Sequence, residues 1–94
     1  MPPFEPLPTE RAGLIARIKN VAFTPTRFRR DYDERHVDDF LDAVIASLAG
    51  SSVPFTPPQI RERELRQVGF KGGYDIEQVD DFRALIAEAV QLLH

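Results

Sequence analysis

The sequence contains no cysteine, so disulfide frameworks, thiolate zinc sites and thiol catalysis are excluded. It has no long apolar run: the stretches from Ala43 to Ala49 and from Ala84 to Leu93 are broken by polar residues at helical spacing, which leaves no candidate membrane span. Met1-Pro2-Pro3-Phe4 lacks the charged start and apolar middle of a signal peptide, and a cytoplasmic location is the expectation. No basic run exceeds Arg29-Arg30, and acids outnumber bases to give a net charge of −3, so the global charge does not favour nucleic acid. Lys71-Gly72-Gly73 is not a Walker motif, and no serine, threonine or lysine has an activating neighbour at motif spacing. No catalytic residue, no cofactor site and no metal site is therefore expected.

What is present begins with a globular composition, 43% hydrophobic and 29% charged over 94 residues. That length fits one compact domain near the size at which a single core gives modest stability, and a homodimer is the expected source of more.

An internal repeat organises the chain. Aligning Phe28 with Phe70 sets an offset of 70 − 28 = 42, and the same offset pairs Ile18 with Ile60 and Tyr32-Asp33 with Tyr74-Asp75. It also pairs Val37-Asp38-Asp39-Phe40 with Val79-Asp80-Asp81-Phe82, with no gap. Phe23 with Leu65, Arg29 with Lys71, Val44 with Ile86 and Leu48 with Val90 follow conservatively. Residues 1–13 form a proline-containing lead and the start of the first helix, 14–52 the first repeat and 56–94 the second, together one domain.

Each repeat reads as a short helix, a loop and a longer helix. Val37, Phe40, Leu41, Val44, Ile45 and Leu48 follow the spacing of one buried helical stripe, which Val79, Phe82, Ile86, Val90 and Leu93 repeat. Asp33 and Asp75 stand just before these runs, where a short carboxylate accepts from the free N–H groups of a first helical turn. Gln78 completes a capping-box spacing from Asp75. Thr56-Pro57-Pro58-Gln59 opens a helix expected to run to about Gln67, with Thr56 as cap and Gln59 at the box position. Thr9 is the expected cap of the first helix, whose stripe is Leu14, Ile15, Ile18 and Val21 and whose end precedes Thr24-Pro25. Gly50 suits a helix terminator, and Gly69, Gly72 and Gly73 allow positive φ in the second loop. No segment alternates with period two over a useful length. The expected fold is all-α, with four helices in tandem helix-loop-helix repeats and an approximate internal two-fold.

The repeated motif resembles that of the DivIVA domain family. Phe28-Arg29-Arg30-Asp31-Tyr32-Asp33 followed by Val37-Asp38-Asp39-Phe40-Leu41 is similar to the family's pattern of an aromatic or leucine, Arg, a Gly-Tyr-Asp turn and Val-Asp-x-Phe-Leu. Phe70-Lys71-Gly72-Gly73-Tyr74-Asp75 with Val79-Asp80-Asp81-Phe82 is similar again, and Phe55-Thr56-Pro57 resembles the family's Leu-Thr-Pro opening. Two departures stand out: Asp31 occupies the place of the turn glycine, and Arg83 the place of the leucine after the Phe. No long coiled coil of the kind DivIVA proteins carry is expected within these 94 residues. The resemblance implies a non-enzymatic adaptor or regulator of bacterial cell division or polar growth, peripheral at septum or pole.

It also implies membrane contact at Phe28, Arg29, Arg30, Phe70 and Lys71, because the family's loop presents an apolar residue beside a basic one to anionic lipid. An inserted ring enters the acyl boundary while each nearby cation contributes about 1 kcal/mol at the surface. The alternative, favoured by the general burial of large aromatics, packs Phe28 and Phe70 against their own long helices. Asp38-Asp39 and Asp80-Asp81 are adjacent helical carboxylates that project about 100° apart and do not converge on an ion. A structural role is expected, with one of each pair bridging to a basic loop residue such as Arg29 or Lys71. Tyr32 and Tyr74 precede helix caps and are expected to pack their rings with the hydroxyls at the surface. His36 and His94 form no metal pair. Tyr32, Asp33, Val37, Asp38 and Phe40, with Tyr74, Asp75, Val79, Asp80 and Phe82, are thus read as the structural motif. A small helical nucleic-acid-binding or regulatory module is the rival class, since helix-turn-helix units are also short helix pairs. The acidic balance argues against it.

Overall fold

Among the described residues, apolar periodicity and capping chemistry place four helices: α1 (Arg11–Lys19), α2 (Glu34–Leu48), α3 (Pro57–Glu62) and α4 (Ile76–Leu92). The computed structural model describes residues 4–26, 30–50, 54–69 and 72–93. The Asp33 carboxylate opens α2 by accepting from the Arg35 N–H at 3.0 Å, and the Asp75 carboxylate opens α4 by accepting from the Gln78 N–H at 3.2 Å. At α3 the Thr56 hydroxyl accepts from the Gln59 N–H, while the Gln59 side chain accepts from the Thr56 N–H, a complete capping box. After α2, Gly50 adopts φ 82°, the left-handed conformation that ends a helix at little cost in glycine.

The expected stripes of the two long helices are buried except at Ile45, Val90 and Leu93, which are half-buried. Val37, Phe40, Leu41, Val44 and Leu48 line the inner face of α2, and Val79, Phe82 and Ile86 that of α4. Each such side chain contributes about 1.5 to 3 kcal/mol through burial. Leu14 and Ile18 bring α1 onto α2, and Ile60 brings α3 onto α4.

Three details of the helices differ from expectation. Glu10, not Thr9, is the N-cap of α1, and its side chain makes no cap bond. The α3 helix stops at Glu62 rather than near Gln67, because Arg63 turns out of the helix at φ −54°, ψ 125°. Gln78 does not close a box onto Asp75; its amide is drawn across to Thr24, which offers both a backbone donor and a hydroxyl acceptor.

The all-α expectation is corrected by a small sheet, and the fold is mainly helical rather than purely so. Its strands are β1 (Pro25–Thr26), β2 (Arg30–Tyr32), β3 (Gln67–Gly69) and β4 (Gly73–Tyr74), in spatial order β1-β4-β2-β3. None exceeds three residues, too short to write a period-two pattern into the sequence. All three ladders are antiparallel, with Pro25 opposite Tyr74, Arg30 opposite Gly69, and Tyr32 opposite Tyr74 at the centre. The connectivity is crossed: β1 pairs with β4 and β2 with β3, so neither β1 with β2 nor β3 with β4 forms a hairpin within its own half.

Close approach at the crossing explains the central glycine. Gly73 is buried, and a β carbon there would collide with the Tyr32 carbonyl oxygen. Its neighbour Gly72 takes φ 78°. Gly69 and Gly73 do not use the positive φ that their glycines allow.

Candidate functional site

The crossed strands carry the tyrosine-aspartate motif to the middle of the molecule. Tyr32 on β2 points its hydroxyl at α4, where it donates to Asp80 Oδ1 at 2.8 Å. Tyr74 on β4 does the converse, donating to Asp38 Oδ1 on α2 at 3.2 Å. The two bonds share an offset, since 74 − 32 and 80 − 38 are both 42.

Two further pairs of hydrogen bonds exchange in the same way. The Asp33 N–H donates to the Arg66 carbonyl at 2.8 Å and the Asp75 N–H to the Thr24 carbonyl at 3.1 Å. The Arg66 N–H donates to His36 Nδ1 at 2.6 Å, and the Thr24 N–H to Gln78 Oε1 at 2.7 Å. In every case one partner lies before Gly50 and the other after Pro54. Each bond contributes about 1 kcal/mol net, but together they fix the register of short strands that have little else to fix it.

Charge and burial tune the two tyrosines. Burial, followed by the Asp38 carboxylate, pushes the Tyr74 phenol up to about 12. Burial, with the hydrogen bond and charge of Asp80, also raises the Tyr32 phenol above 10.0, while Arg83 acts in the opposite sense. Both phenols are therefore held as neutral donors at physiological pH, which suits a structural clamp better than proton transfer.

Arg83 is buried beside this clamp. Its guanidinium donates to the Ile60 carbonyl at 2.9 Å and the Arg63 carbonyl at 2.5 Å, faces Asp80 at 3.6 Å and lies 5.3 Å over the Phe40 ring. It thus closes the truncated C-terminus of α3 and ties it to the tyrosine-aspartate pair.

Two clefts flank the crossing. One of about 560 Å³ is lined by Tyr32, Arg61, Arg63, Leu65, Asp80 and Arg83. The other, about 330 Å³, is lined by Tyr74, Lys19, Val21, Phe23, Asp38 and Leu41. Subtracting 42 from the last five residues of the first cleft gives the last five of the second. The clefts differ where Arg83 replaces Leu41 and where Arg63 and Leu65 replace Val21 and Phe23.

Comparison with protein-family models, curated proteins and solved structures found no match.

Of the residues singled out from the sequence, Tyr32, Asp33, Val37, Asp38 and Phe40 meet Tyr74, Asp75, Val79, Asp80 and Phe82 in or beside the crossing. Phe28, Arg29, Phe70 and Lys71 lie outside the described residues. Arg30 is exposed, its Nε donating to Gln67 Oε1 at 3.3 Å. The carboxylates Asp38 and Asp80 receive tyrosine hydroxyls, and Asp39 and Asp81 face solvent. Among the described residues no group of three or more His, Asp or Glu side chains is placed to hold a metal ion, and no helix is long and apolar enough to cross a membrane.

Sequence reasoning missed His36 and Gln78 as acceptors for the other half of the chain and Arg83 as a carbonyl clamp. For the first two the equal spacing, 78 − 36 = 42, was a usable signal, but the residue types differ and hid it. Arg83 stood out as a departure from the leucine pattern, although its work depends on where α3 ends.

Proposed function

We propose that the chain is two DivIVA-like units, related by an approximate two-fold axis at the Tyr32–Tyr74 ladder, and that it serves as a non-enzymatic adaptor in bacterial cell division or polar growth. The reciprocal tyrosine-aspartate bonds carry this reading. In each the motif of one unit is completed by the other, so the repeat works as a mutual clamp. Superposition of the two halves in a crystal structure tests the repeat itself; halves with unrelated helix packing would remove it.

The clamp holds in register the described residues on either side of Phe28-Arg29 and Phe70-Lys71. Arg30 is the register partner of Gly69, and Thr26 that of Gly73. The function then lies at Phe28, Arg29, Arg30, Phe70 and Lys71, acting on protein partners and on anionic membrane surface. Flotation with anionic and neutral vesicles is the test. The parent chain should float preferentially with anionic vesicles, added salt should weaken the cationic share, and Phe28→Ala with Phe70→Ala should abolish the rest. Equal flotation of parent and double variant would leave only the protein-contact role.

Homodimerisation belongs to the same proposal. Leu92 is exposed at the end of α4, with Leu85, Val90 and Leu93 half-buried near it, and a second copy would cover them. Sedimentation showing only monomer at high micromolar concentration would remove that part. A fluorescent fusion should concentrate at septum or pole; uniform cytoplasmic signal would contradict the cellular role.

A further inference from the structure

The two edges of the sheet are locked by the same pattern of bonds and by different chemistry. At one edge α2 holds the backbone of Arg66 at two points: its carbonyl accepts from the Asp33 N–H at 2.8 Å, and its N–H donates to His36 Nδ1 at 2.6 Å. At the other, α4 holds Thr24 in the same way, through the Asp75 N–H at 3.1 Å and Gln78 Oε1 at 2.7 Å. Arg66 leads directly into β3 and Thr24 directly into β1, the two edge strands.

The acceptors differ in one property. The amide oxygen of Gln78 accepts whatever the pH, whereas an imidazole nitrogen accepts only while the ring is neutral. Nδ1 of His36 must be the bare nitrogen, because the backbone N–H opposite it can only donate. The side chain is exposed, so a proton reaches it from solvent without opening the fold. A ring charged at both nitrogens sets its Nδ1–H against the Arg66 N–H, donor against donor. Two charged side chains line a cleft with His36: Asp39 from α2 and Arg63 from the segment after α3. Asp39 stands three residues on along the helix and offers the charged ring a carboxylate once it turns, while Arg63 repels it. Of the other charged residues at this helix end, Asp33 accepts from the Arg35 N–H, and Glu34, Arg35 and Arg66 have exposed side chains.

We propose that His36 makes the crossing sensitive to pH on one side: mild acid frees the Arg66 N–H and loosens the β3 edge, while Gln78 keeps the β1 edge locked. An imidazole changes charge between about pH 5 and 8, so the bond is present above that range and lost as the pH falls through it. The tyrosine bonds at the centre of the sheet are unaffected there, since both phenols stay neutral.

Two measurements on the full-length chain test this. The first follows hydrogen exchange at the Arg66 and Thr24 amides in one labelled sample, at about pH 7.5 and about pH 5. Each amide is corrected for its own intrinsic rate, so the ratio of protections isolates the bond. Protection at Arg66 should fall about fivefold relative to Thr24 in acid. The second is thermal unfolding of the parent and of His36→Gln, which installs the amide found at position 78. Every other titrating group is common to both chains, and the parent should lose about 4 °C more in Tm than the variant between the two pH values. An unchanged ratio of protections would overturn the proposal. A His36→Gln chain that loses as much Tm in acid as the parent would do the same.

Discussion

The two halves solve one problem differently. In the first, α1 runs nine residues, and Asn20 closes it by sending both its backbone N–H and its side-chain amide to the Ala16 carbonyl. Leu41 on the facing helix then needs only to be apolar and is buried. In the second half α3 is six residues long, and its last carbonyls are met by Arg83, which stands 42 residues after Leu41 in the sequence. Aromatic packing differs as well. Phe82 sits 5.1 Å from Phe4 and 5.7 Å from Phe23, whereas Phe40 stacks on Phe55 at 6.0 Å and receives the Arg83 guanidinium on its ring. Positions matched by the 42-residue offset can thus differ by an apolar contact in one half and a charged one in the other where a neighbouring helix is cut short, because the buried carbonyls must find donors.

The largest separation between the halves should come from their central phenylalanines. Phe82→Ala should cost about 5 kcal/mol and Phe40→Ala about 3, the two ends of the range for a buried phenylalanine, because Phe82 is the more enclosed ring. Urea unfolding of both variants checks this, and equal losses would erase the proposed difference in packing.

Next comes Arg83→Leu, which makes the second half imitate the first. Removing the donors of the Ile60 and Arg63 carbonyls should cost about 2 to 4 kcal/mol, even though Leu fits the same position opposite. A neutral result in urea would mean that α3 closes itself after all. Tyr32→Phe should cost about 1 kcal/mol or slightly more and Tyr74→Phe less, since Tyr32 is buried with the shorter bond.

The smallest effect is one of titration. Both phenols are raised above their unfolded value, so the stability they bring is complete below about pH 10 and is lost as the pH climbs through the folded values, to about 12 for Tyr74. The chain has two tyrosines and no tryptophan, so absorbance at the phenolate band should show both titrating late in the folded state. A normal titration near 10 would place the hydroxyls in water.

Much of the helical layer was legible in the sequence, for reasons visible in single residues. Asp33, Asp75 and Thr56 carry caps that act locally, and the stripe through Val37, Phe40 and Val44 needs only the helical period. The strands were not legible, because Pro25-Thr26 and Gly73-Tyr74 are too short to show alternation. The crossing was hidden for a different reason: Tyr32 and Asp38 have the same spacing as Tyr74 and Asp80, so the sequence is equally compatible with bonding inside a unit or between units. Gln78 misled through a valid local signature that a distant partner, Thr24, overrode. At the crossing, Tyr32, Tyr74, Asp38 and Asp80 were singled out from the sequence, whereas their exchange of partners was not.

The crossing itself is most directly tested by scalar couplings measured through hydrogen bonds in an isotopically labelled sample. Couplings should appear from the Asp33 N–H to the Arg66 carbonyl and from the Asp75 N–H to the Thr24 carbonyl. Couplings confined to each half, joining the strand at Pro25-Thr26 to that at Arg30–Tyr32 and Gln67–Gly69 to Gly73-Tyr74, would contradict it.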